Sequence, residues 1–65
     1  MMDFQARLDK ALILAGVSLV ELAGRIGLPV RVVRGYETAP PRRICERIVD
    51  ALDRVVSVDF LLDKV

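Results

Sequence analysis

Histidine is absent from these 65 residues, and with it the side chain most used as a base, a proton shuttle and a metal ligand near neutral pH. That absence argues against an enzyme. Cysteine occurs once, at Cys45, so no disulfide closes within the chain and no zinc site of paired Cys and His ligands can be built. A lone cysteine fits a reducing, cytoplasmic setting. The longest apolar run, Ala11 to Val17 with Gly16 counted, falls far short of the roughly 20 residues of a membrane span. Charges at Asp3, Arg7, Asp9 and Lys10 interrupt the place where a secretory leader carries its apolar segment, so no targeting signal is expected. A paired nucleophile and base, a carboxylate pair with an evident pocket and a Gly-rich phosphate loop are also missing, and no cofactor is expected. Strand signals are weak, because the valine-rich stretches do not alternate with polar residues.

What remains is apolar and helical. Apolar residues make up 54% of the chain, above the roughly 45–50% of ordinary globular domains, which argues against disorder. The length allows one domain, residues 1–65, and a domain of this size buries only about 60% of its unfolded surface. Without disulfide or metal, self-association is an expected source of extra stability. Charge is unevenly placed. The whole chain carries +1, yet residues 25–47 hold Arg25, Arg31, Arg34, Arg42, Arg43 and Arg47 against only Glu37 and Glu46. Arginine suits bidentate contact with phosphate oxygens and guanine edges, so this stretch is either a nucleic-acid contact or a solvated charged face.

Apolar spacing predicts five helices. Phe4, Leu8, Ala11, Leu12 and Ala15 form one stripe of a first helix that ends at Gly16. Ser18 and Glu21 have the spacing of a capping box, with Val17 and Leu22 placed as a hydrophobic staple, for a second helix from Leu19 to about Ile26 that stops at Gly27. Pro29 belongs at the start of a third helix, about Val30 to Tyr36, with Gly35 inside it at a cost of about 1 kcal/mol. Pro40 and Pro41 mark a loop. Ile44, Cys45, Ile48, Val49 and Leu52 give a fourth helix from Arg42 to about Arg54, in which Cys45 is a small core residue. Ser57 caps a short fifth helix carrying Val58, Leu61 and Leu62.

Two helices joined by a tight Gly-containing turn suggest a helix-turn-helix over about residues 18–37. Here Ser18, Leu22, Ala23, Gly27, Leu28, Val33, Tyr36 and Glu37, followed by Pro40, Ile44, Ile48, Ala51, Leu52, Val58 and Leu61, stand in the order and spacing of a known family. In these residues the chain resembles the Cro/repressor helix-turn-helix family, also called the xenobiotic-response-element family. The resemblance implies a compact, all-α, five-helix lambda-repressor-like domain whose second and third helices form the helix-turn-helix. A Glu37 buried or half-buried in such a fold would need a partner, an arginine such as Arg25 or one of the downstream cluster.

The resemblance also implies a function. It places Val30, Arg31 and Arg34 at groove-facing positions of the third helix, where either arginine can reach a guanine edge and Val30 can pack on a thymine methyl. Thr38, Arg42 and Arg43 fall where phosphate contacts set register. Val55, Val56, Val58, Phe60, Leu62 and Val65 are too many for one face of a short helix to bury, and they are the expected homodimer interface. The expected partner is double-stranded DNA carrying a palindromic operator, and the format is that of small repressors of phages, bacteria and mobile elements. Some family positions are changed. Leu19 stands where members often have Gln, Pro29 where they have Ser or Thr, Ala39 where they have Gly, and Val30 where a polar residue is common. Leu19, Val30 and the acidic C-terminal third favour a second reading, a module that binds a protein, such as an antirepressor or an inhibitor, through an apolar third-helix surface.

Overall fold

The stripe of Phe4, Leu8, Ala11 and Leu12 is the buried face of α1, Phe4–Ala15, in the computed structural model, which describes residues 3–63. Asp3 starts this helix by accepting a hydrogen bond from the Ala6 N–H at 2.8 Å, and Gly16 ends it with φ +68°. Asp3 is a cap that the apolar stripe does not announce. Helix α2, Leu19–Ile26, begins where Ser18 Oγ accepts the Glu21 N–H at 3.1 Å and ends at Gly27, φ +73°. A side chain at either glycine would be strained by that left-handed backbone. The reciprocal half of the expected capping box is absent among the described residues, because the Glu21 carboxylate takes Arg25 Nη2 at 2.5 Å.

Two helices are shorter than the spacing suggested. Helix α3 is Val30–Arg34, so Gly35 is its C-cap with an ordinary φ of −81° and lies outside the helix, as does Tyr36. Helix α4 is Arg42–Ala51 and stops before Arg54. Asp53 and Arg54 take φ of 55° and 59°, and the Arg54 N–H returns to the Val49 carbonyl at 2.9 Å. That reversal brings Val56 and Val58 back onto the core. Helix α5, Val58–Leu61, starts at Ser57, whose Oγ accepts the Phe60 N–H at 3.0 Å.

The described residues form an all-helical, compact unit of 28 × 22 × 20 Å. Leu8, Leu22, Val33, Cys45, Ile48, Leu52 and Leu61 are fully buried at its centre. α4 packs on α2 and α5, α5 also packs on α1, and α3 packs on α2. Phe4 and Tyr36 meet edge to face, with centroids 6.2 Å apart. No described helix is long and apolar enough to cross a membrane.

Short helices leave their last carbonyls without intrahelical partners. Here side chains from other helices hold them. Arg47 Nη2 donates to the Ile26 carbonyl at the end of α2, and Arg25 Nη1 donates to the Ala51 carbonyl at the end of α4 at 2.6 Å. Gln5 Nε2 donates to Val33 at 3.0 Å and Tyr36 at 2.8 Å around the end of α3. Arg7, 8% exposed, donates from Nε at 3.3 Å and Nη2 at 3.0 Å to the Leu61 carbonyl at the end of α5. Positive charge at these ends also complements the helix dipole.

Candidate nucleic-acid interface

The six arginines of residues 25–47 divide by what they touch. Arg25 and Arg47 hold helix ends, as above. Arg34 leans back onto α1, where Nη1 donates to Gln5 Oε1 at 2.7 Å and both Nη atoms donate to Asp9 Oδ1 at 3.2 Å. Arg42 pairs loosely with Glu46 at 3.6 Å and Asp59 at 3.9 Å. Arg31 and Arg43 are exposed and make no hydrogen bond or ion pair among the described residues. The sequence presented one cluster of cations; the fold leaves two of them uncommitted.

The three residues expected to face a groove are therefore unevenly placed. Arg31 projects freely from α3, Arg34 is held from behind, and Val30 is half-buried against the core. Val33 is the buried anchor of α3, and Val32 is exposed. Leu19, expected on the same apolar surface as Val30, is likewise half-buried and packs on the core. Thr38 and Arg43 are exposed, and Pro41 gives the first turn of α4 no capping side chain. In that turn the Ile44 N–H donates to the Pro41 carbonyl at 2.9 Å, and a helix start carries partial positive charge, as suits an anion.

Glu37 is exposed, so it needs no buried partner, and Arg25 pairs with Glu21 instead. Cys45 is fully buried, with Sγ 3.5 Å from the Pro40 carbonyl, and burial pushes its thiol pKa up against the lowering effect of Arg42 and Arg7. That favours the inert, protonated form.

Of the expected interface residues, Val55 is exposed, while Val56, Val58, Phe60 and Leu62 are half-buried and pack against the core; Val65 lies outside the described residues. A shallow depression of about 380 Å³ lies between Val49, Arg54, Val55 and Val58. The most exposed large apolar side chains are elsewhere. Ile13 is 80% exposed, Val20 70% and Leu14 57%, at the corner between α1 and α2. A groove of about 580 Å³ runs beside Ile13, bounded by Asp9, Leu12, Leu19 and Arg34. The sequence stripe of α1 pointed to this only indirectly, since Ile13 and Leu14 fall off its buried face. Among the described residues no group of His, Cys, Asp and Glu is placed to hold a metal ion.

Comparison with known proteins adds no family: no family model, no curated protein and no solved structure matches this chain.

Proposed function

We propose that this chain is a sequence-specific DNA-binding regulator, a small dimeric repressor of the Cro type that occupies an operator. In this reading α2 and α3 are the helix-turn-helix of a lambda-repressor-like domain, and α3 enters the major groove with Val30, Arg31 and Arg34. Thr38, Arg42 and Arg43 fix the register on phosphates, and the Val55, Val56, Val58, Phe60, Leu62 and Val65 region pairs two copies on a palindromic site. The observation that carries it is the division of the arginines. Arg31 on α3 and Arg43 at the start of α4 stand exposed and unpaired, a disposition that serves an anionic partner better than it serves the fold.

A second reading is favoured by one observation. Ile13, Leu14 and Val20 are exposed at the α1 and α2 corner, a surface suited to a protein partner. This is the interaction-module alternative, with its contact moved from Val30 and Leu19 to the neighbouring corner.

Selection from a pool of random duplex DNA, followed by binding to the winners across salt concentration, separates the two. DNA reading gives a palindromic consensus and affinity that falls steeply with salt. Weak, unselective binding that vanishes at physiological salt would reject it in favour of the protein-binding module.

A further inference from the structure

Arg31 and Arg34 are equivalent in sequence, three residues apart on one short helix, yet the fold treats them differently. Helix α3 has five residues, no capping side chain at Pro29 and no left-handed glycine at its end. Such a helix does not hold its own position and depends on its neighbours. Gln5 Nε2 donates to the Val33 carbonyl in its last turn and to the Tyr36 carbonyl just beyond it, and the same Gln5 accepts from Arg34 with Oε1. Asp9, four residues on and so on the same face of α1, accepts from both terminal nitrogens of Arg34. Backbone and side chain of α3 are thus fastened to one face of α1.

Resting on the DNA-binding reading, we infer that Arg31 is the base-reading arginine of α3, and that Arg34 is a positioning residue that sets the angle of α3 through Asp9 and Gln5. The guanidinium fork that would grip guanine is the part of Arg34 already used. Turning it outward breaks three hydrogen bonds to α1 and leaves the Asp9 carboxylate without its counter-ion beside an approaching polyanion. Arg31 breaks none, and its five donors are open to a base edge.

The test is the base preference of four proteins on a selected operator and its single-base variants: wild type, Arg31→Ala, Arg34→Gln, and the charge-swapped pair Asp9→Arg with Arg34→Asp. Arg31→Ala is expected to lose about tenfold or more of its discrimination at one base position. Arg34→Gln is expected to weaken every sequence by a similar factor and leave the preference unchanged. The swapped pair rebuilds the ion pair in reverse and is expected to recover affinity with the wild-type preference, which an aspartate at a base-reading position could not do. Circular dichroism confirms that each variant is folded. A preference that changes at one position in Arg34→Gln, and is not recovered by the swap, overturns the inference while leaving the DNA-binding reading in place. Absence of any preference in the wild type overturns both.

Discussion

Arg7 is the position where removing one charged group should cost this fold most. Its guanidinium is almost wholly out of water and donates twice to the Leu61 carbonyl, fastening the last helix to the first across 54 residues of chain. A hydrogen bond to a charged group contributes about 1.5–3 kcal/mol, and two donors sharing one acceptor add less than two independent bonds. Arg7→Met keeps much of the apolar stem and removes the head, so it separates the loss of the guanidinium's polar contacts from packing. The expected loss is about 2–3 kcal/mol. A single core of this size supplies roughly 3–5 kcal/mol in total, so the variant should be barely folded at 25 °C, with a midpoint lowered by at least about 10 °C. Urea unfolding followed by circular dichroism measures the loss, and amide exchange in α5 locates it. A loss below about 0.5 kcal/mol, or exchange no faster at Phe60 to Leu62 than elsewhere, would refute the reasoning.

Two further outcomes follow from the backbone and from Cys45. Asp53 has φ of 55° with no glycine at hand, so Asp53→Gly should stabilise the protein by up to about 1 kcal/mol in the same urea experiment, and a loss of stability would show that the left-handed turn carries no strain. The Cys45 thiol pKa lies above its usual 9.0 in the folded chain, so its contribution is fully present below pH 9.0. It is lost as pH rises from the unfolded value through the folded one, because only the unfolded chain then releases the proton. Stability should therefore fall more steeply above pH 9.0 in the wild type than in Cys45→Ala, and thiol labelling at pH 8 should be no faster than global unfolding. Equal slopes, or labelling of the native state, would contradict the buried position.

The starts of α2 to α5 were legible because each depends on neighbours in sequence. Ser18 and Ser57 cap donors three residues on, Pro29 and Pro41 hold an extended residue just before α3 and α4, and the stripes of α1 and α4 repeat at the helical period. Two of the stops were legible for the same reason, since Gly16 and Gly27 need no distant partner to turn the chain. Ends without a left-handed glycine carry no such local signal. Apolar spacing continues past Ala51, yet α4 stops there because two non-glycine residues turn left-handed and let Val56 and Val58 reach the core. Likewise α3 ends at Arg34 with Gly35 in an ordinary right-handed conformation, and Gln5 of α1 holds the Val33 carbonyl in its last turn and the Tyr36 carbonyl just beyond it.

The candidate site divides along the same line. Composition and local charge density placed six arginines in the middle of the chain, and sequence alone determined that number, as it determined the helical class, the lone cysteine and the lack of histidine. Which arginine is free to meet a partner depended on groups 21 to 29 residues away: Gln5 and Asp9 for Arg34, Ala51 for Arg25, Ile26 for Arg47. Spacing along a helix fixes which way a side chain points. Whether it finds a carbonyl or a carboxylate there is decided by how the helices pack, and that is why Arg31 and Arg34, alike in sequence, differ in the folded protein.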